Sequence, residues 1–191
     1  MNNKIRCFIA IELSEEIKNT LAKIEKELEK TIYGVKWVEP GNIHLTLKFL
    51  GYIEKDIVEK IKEILKEIAA GMKPFKIKLS SVGAFPSPSQ PRVIWVGIDE
   101  GKKESTEIAN LIEEKVSPLG IEKENRAFHP HLTLARVKFL KDKSSVKNAF
   151  ASSKVPQVEM TATKITLFQS TLSPEGPTYS PLGTATLALM E

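Results

Sequence analysis

The sequence predicts a duplicated fold mixing helices and strands, in which each half runs strand, helix, strand pair, helix, strand. Three observations predict it. Apolar spacing switches between a period of two and helical spacing in the same order twice. The tetrapeptide His-Leu-Thr-Leu occurs at 44–47 and again at 131–134, and average residue usage makes a chance second copy an event of roughly a few in a thousand. A segment with three prolines and two serines, Phe85 to Pro91, divides the two series as a connector.

The elements follow from the side chains. From Lys4 to Leu13, the residues Ile5, Cys7, Ile9, Ile11 and Leu13 fall on one face of a strand, with Arg6, Phe8, Ala10 and Glu12 on the other. Ser14 offers an N-cap, Glu15 and Glu16 suit the positive helix end, and Ile17, Leu21, Ile24, Leu28 and Ile32 recur at helical spacing to about Thr31, with Gly34 expected to end that helix. Strands are expected at Val35 to Val38 and Asn42 to Leu50, a second amphipathic helix through Ile57 to Ile68 stopping near Gly71, and a strand from Phe75 to Ala84. The second series begins with a strand at Arg92 to Ile98, a helix at Lys103 to Val116 and a strand at His131 to Val137. A helix near Ser145 to Ala151 and strands near Val158 to Phe168 and Thr184 to Leu189 complete it. Phe8 precedes His44 by 36 residues and Trp95 precedes His131 by 36, as two copies of one unit would require.

Composition excludes several classes of protein. The 191 residues suit one domain or two small lobes sharing a core, and 41% hydrophobic with 27% charged residues is an ordinary globular balance. A single cysteine, Cys7, excludes an intrachain disulfide and a multi-cysteine metal cage, and points to a reducing compartment. The apolar run Cys7 to Ile11 stops at Glu12, too short for a secretion signal, and no stretch approaches the ~20 apolar residues of a bilayer span. Charge is uneven: Arg126 to Lys154 carries a net +6, while the remainder carries −2. Such a basic stretch suits an anionic ligand approached from one side.

The repeated tetrapeptide carries the chemistry. On a strand, i and i+2 share a face, so His44 and Thr46 point one way and Leu45 and Leu47 the other, and likewise His131 and Thr133 against Leu132 and Leu134. A twofold relation would gather two imidazoles and two hydroxyls around one point. One imidazole can deprotonate a nucleophile while the other, protonated, supplies a leaving oxygen, and the hydroxyls can donate to a phosphoryl oxygen gaining charge. That constellation breaks a phosphodiester by in-line displacement without a metal or other cofactor. Zinc is disfavoured, because no cysteine or acid lies within either motif and His129 has no counterpart in the first copy. Arginine occurs only at positions 6, 92, 126 and 136, and Arg136 is the best phosphate clamp. Its strand parity opposes that of His131, so a bulge, a twist or side-chain length must bring it to the site. Phe49, Phe128 and Tyr179 are available to stack a base, although core packing is the better explanation of each phenylalanine.

At these residues the chain closely resembles the two-histidine phosphoesterases, and within them the LigT-like RNA 2′,3′-cyclic phosphodiesterases, also called 2′-5′ RNA ligases. The resemblance runs from Arg6-Cys7-Phe8-Ile9-Ala10-Ile11 through the flanks of both His-Leu-Thr-Leu motifs, Asn42 to Gly51 and Phe128 to Arg136, to Leu167-Phe168-Gln169-Ser170. It implies an α+β fold: one bilobal domain over 1–191, repeats about 1–84 and 92–191, and two antiparallel sheets flanked by helices around a central cleft. It implies hydrolysis of an RNA 2′,3′-cyclic phosphate to a 2′-phosphate, with His44 as general acid, His131 as general base, and Thr46, Thr133 and Arg136 holding the phosphate. Minor 2′-5′ ligation at the same site would follow if a 5′-hydroxyl replaced water. The expected partner is RNA with a cyclic phosphate end, such as a tRNA fragment, acted on by a cytoplasmic monomer away from membranes. Two alternatives stay open: a non-catalytic RNA-end-binding module, and a phosphodiesterase for a small cyclic nucleotide.

Overall fold

Strand and helix alternate as the apolar pattern requires in a computed structural model that describes residues 3–140, 143–174 and 176–188. In chain order the elements are β1 (Lys4–Glu12), α1 (Glu15–Glu29), β2 (Val35–Trp37), β3 (His44–Glu54), α2 (Val58–Ala70), β4 (Phe75–Phe85), β5 (Val93–Ile98), α3 (Lys102–Val116), β6 (His131–Val137), α4 (Lys143–Ser152), β7 (Glu159–Ala162), β8 (Lys164–Leu172) and β9 (Pro177–Thr186). The Ser14 side chain caps α1 by accepting from the Ile17 N–H at 3.3 Å. No helix among the described residues is long and apolar enough to cross a membrane.

Two expectations need correction. Helix α1 ends at Glu29, two residues short of the expected Thr31, and Gly34 instead makes a left-handed turn at φ 80° against the Phe139 carbonyl, where a Cβ has no room. The C-terminal strand begins at Pro177, not Thr184, and it carries Pro181 within it. Among the described residues it pairs only with β8, and an edge strand tolerates residues that cannot donate to a ladder. Residue 189, within the expected final strand, and Lys141 and Asp142 of the basic stretch lie outside the described residues.

The strands form one curled antiparallel sheet in the order β7-β4-β5-β6-β3-β1-β8-β9, with β2 added to β6. Of the two halves expected as separate sheets, β3 of the first meets β6 of the second at one pair, Leu45 opposite Leu132. The halves also exchange strands. The last strand of the first series, β4, pairs with β5, while β8 from the second series pairs with β1. Neither half could complete its own lobe alone. Beneath the sheet the apolar stripes of the helices meet Leu45, Leu47, Leu132 and Leu134, all at most 4% exposed, in one continuous core.

One buried acid sits badly in this core. Glu25 is 5% exposed and its Oε1 has no partner, so burial, reinforced by Glu29 and Glu39, pushes its pKa from 4.5 up to about 8. Between those values the folded chain holds a proton that the unfolded chain releases, so stability falls as pH rises from 4.5 to 8. Replacing Glu25 with Gln is expected to remove ~3 kcal/mol of that decline. Urea midpoints at pH 5 and pH 8 check it; equal slopes in both proteins would refute it.

Candidate active site

Both histidines emerge from the strand junction on the face opposite the leucines. Because β3 and β6 are antiparallel about the Leu45–Leu132 pair, continuing the ladder sets His44 across from Thr133 and Thr46 across from His131. This is a local twofold arrangement. All four side chains are partly exposed on the cleft side, while their leucine neighbours are buried.

Each imidazole is held in the same way. His44 Nδ1 donates to the Asn42 carbonyl at 2.7 Å, and His131 Nδ1 donates to the His129 carbonyl at 2.6 Å. A carbonyl only accepts, so each ring carries its neutral-state proton on Nδ1 and leaves Nε2 free for proton transfer. Aromatic neighbours complete the clamps. Phe8 stacks on His44 at 4.6 Å with the Tyr179 ring edge-on at 5.3 Å, and Phe85 meets His131 edge-on at 5.0 Å. These rings remove water. Burial lowers the His44 pKa from 6.5 to about 4, against the pull of the Asn42 carbonyl and with help from His131. Burial lowers that of His131 too, with His129 and Arg136 adding to the effect and its carbonyl partner opposing it.

A bulge in each strand decides what else faces the cleft. Opposite β5, Thr133 pairs with Trp95 but Ala135 pairs with Ile94, so β6 holds one extra residue at Leu134 and Arg136 turns to the face of His131. The same slip occurs in β3, where Thr46 pairs with Ala10 but Lys48 pairs with Ile9. Phe49 therefore occupies the position equivalent to Arg136. The duplication is broken there, with a guanidinium on one side of the centre and a ring, 51% exposed, on the other.

Register also overturns the equal spacing noted in the sequence. Phe8 lies opposite Phe49, and it is Val93, not Trp95, that lies opposite Arg136. Trp95 is the counterpart of Ala10, and the equal counts of 36 residues arise from loops of different lengths. Its indole lies over Gly83, where any Cβ would collide with the ring.

Of the sequence-predicted residues, His44, Thr46, His131, Thr133 and Arg136 share the cleft face, and Tyr179 reaches it against His44. Phe49, Phe128, His129 and Arg126 line an adjoining cavity. The sequence places Phe8 and Arg6 on one strand face without giving either a role at the site; Arg6 donates to Ser170 Oγ at 2.8 Å, and burial raises the pKa of the Tyr179 hydroxyl against the opposing charges of Arg6 and Arg136. The shared strand face of Arg6 and Phe8 and the scarcity of arginine were the available signals. Among the described residues no group of three His, Cys, Asp or Glu side chains gathers as a metal site.

Comparison with known proteins gives concordant results. The sequence pattern of the family described as LigT like Phosphoesterase matches twice, at residues 11–95 and 96–179. An RNA 2′,3′-cyclic phosphodiesterase of Methanocaldococcus jannaschii is 42% identical over 92% of this chain and 96% of that protein. A solved structure from Thermus thermophilus superposes with a TM-score of 0.79 at 27% identity, covering 96% of this chain and 98% of that one. E. coli LigT complexed with 3′-AMP superposes at 0.76 with 25% identity, covering 97% and 99% respectively.

Proposed function

This chain belongs to the LigT-like phosphoesterase family, and on that premise we propose that it hydrolyses 2′,3′-cyclic phosphate ends of RNA to 2′-phosphates. The observation that carries the proposal is the pair of His-x-Thr motifs set antiparallel about Leu45 and Leu132 with each Nε2 left free. The E. coli relative's complex with 3′-AMP supports a nucleotide ligand.

In this reading His131 Nε2 takes a proton from water, whose oxygen attacks phosphorus. The bond from phosphorus to the 3′ oxygen breaks, and His44 Nε2 supplies that oxygen with a proton. Thr46 and Thr133 donate to the phosphoryl oxygens, and Arg136 offsets their growing charge. Burial lowers the pKa of both imidazoles, and an entering phosphate anion favours the protonated form that His44 needs as proton donor. No step calls for a metal or other cofactor.

A 5′-hydroxyl in place of water would give a 2′-5′ linkage by the same steps, as a minor activity. We assign residues 1–191 to one bilobal unit with repeats of about 1–84 and 92–191, working as a cytoplasmic monomer on ends such as those of tRNA fragments. The lone cysteine and the exchanged strands support the compartment and the single unit.

The deciding experiment is turnover, in EDTA, of an oligonucleotide ending in a 2′,3′-cyclic phosphate and of the matching mononucleotide, with the phosphate position read by NMR. Release of a 2′-phosphate is expected; binding without turnover would turn the proposal into one for an end-binding module.

A pH profile gives a second check. The active form carries one proton on the histidine pair, and both free-protein pKa values lie below 6.5, so kcat/KM is expected to peak on the acid side of 6.5 and fall above it. The kcat profile should shift to higher pH, because bound phosphate favours imidazolium. A kcat/KM optimum above pH 7.5 would contradict this.

A further inference from the structure

From Thr46 and His131 a cavity of about 710 Å³ runs away from the reacting centre, between the loop 122–129 and the connector 85–92. Its volume lies in the upper half of the roughly 300–1,000 Å³ that ligand pockets span. Phe49, Phe85 and Phe128 line it, and Arg92 and Arg126 stand exposed on its wall. Among the described residues neither guanidinium is engaged by a carboxylate. Two acids share the wall, Glu113 and Glu124. Glu113 is neutralised by the Lys48 ammonium at 2.7 Å, so Glu124 alone opposes two arginines and the wall keeps a positive charge.

We propose that Arg92 and Arg126 form a second phosphate subsite, which takes the phosphodiester on the 5′ side of the terminal nucleotide while bases stack among the three phenylalanines. The inference rests on the hydrolysis proposed above and names the substrate class as an RNA end at least two nucleotides long. A mononucleotide reaches the histidines but leaves these arginines unused. Guanidinium forks suit a phosphodiester, and phenylalanine faces accept any base, so the subsite reads the backbone rather than the sequence.

Lys48 is the positioning residue for this wall. Its side chain, 4% exposed, donates to Glu113 Oε1 at 3.0 Å and to the Glu122 carbonyl at 2.7 Å, and Glu113 Oε1 in turn accepts from the Glu124 N–H at 3.1 Å. Strand β3, helix α3 and the start of the 122–129 loop are thereby tied together beside Phe49. The β3 bulge that turns Phe49 to the cleft is what sends the neighbouring Lys48 inward.

The test compares kcat/KM for a dinucleotide ending in a 2′,3′-cyclic phosphate with that for the matching mononucleoside 2′,3′-cyclic phosphate. The native protein should prefer the dinucleotide by about tenfold or more, a preference that shrinks as salt rises. The double variant Arg92→Ala/Arg126→Ala should lose about tenfold or more on the dinucleotide and stay within about threefold on the mononucleotide. Lys48→Met should lose the same preference selectively, and Lys48→Arg should recover part of it. A native ratio near one, or equal losses on both substrates in the double variant, would overturn the subsite while leaving hydrolysis intact. Absence of turnover on either substrate would instead overturn the hydrolytic reading on which it rests.

Discussion

His131→Ala is expected to lower the turnover of a 2′,3′-cyclic phosphate by ~10²–10⁴, with His44→Ala in the same range and substrate binding changed far less. Neither position is needed for the core, since both side chains are partly exposed on the cleft face and their neighbours Leu45 and Leu132 are fully buried. The variants should therefore fold, which circular dichroism checks. In the proposed mechanism acid and base act in one transition state, so the double variant should lose much less than the product of the two single losses. Single-turnover rates with saturating substrate separate chemistry from binding. A near-normal rate for His44→Ala would remove it as the proton donor.

Arg136→Ala is expected to lower kcat/KM by ~10²–10³, the scale for losing one donor aimed at developing charge. Arg136→Lys should recover only part of this, because an ammonium cannot present the planar fork of a guanidinium. Placing Arg136 in the cleft depends on the extra residue at Leu134, since without that slip it would point to the leucine side. Its symmetry mate Phe49 supplies no charge, so no second arginine takes over by the pseudo-twofold. Equal kcat/KM for Arg136→Ala and the native protein would exclude it as the clamp.

Local order was legible because each element carries its own signal. Ser14 before Glu15 and Glu16 marks a helix start whatever surrounds it, and the alternation of His44, Leu45, Thr46 and Leu47 assigns a face to each side chain. The C-terminal strand was misplaced because its prolines count against a strand in general, and only its position at the sheet edge makes Pro177 and Pro181 acceptable. The site was legible as far as composition and parity reach: two histidines, two threonines and a scarce arginine. Phe8 stacked on His44, and Lys48 turned inward to Glu113, lay beyond that reach, because each depends on a partner distant in sequence.

By itself the sequence determined the duplication, the order of helices and strands, and the residue types able to move protons and hold a phosphate. Those properties are written in periods of two and 3.6 residues and in short motifs, which do not depend on distant contacts. Tertiary structure alone decided the exchange of β4 and β8 between halves, the Leu45–Leu132 junction of β3 with β6 and the two bulges. Register is set by packing across strands, and a slip of one residue reverses every side chain beyond it. That is why the same five-residue step from each histidine ends at a ring in one half and at a guanidinium in the other, both facing the cleft.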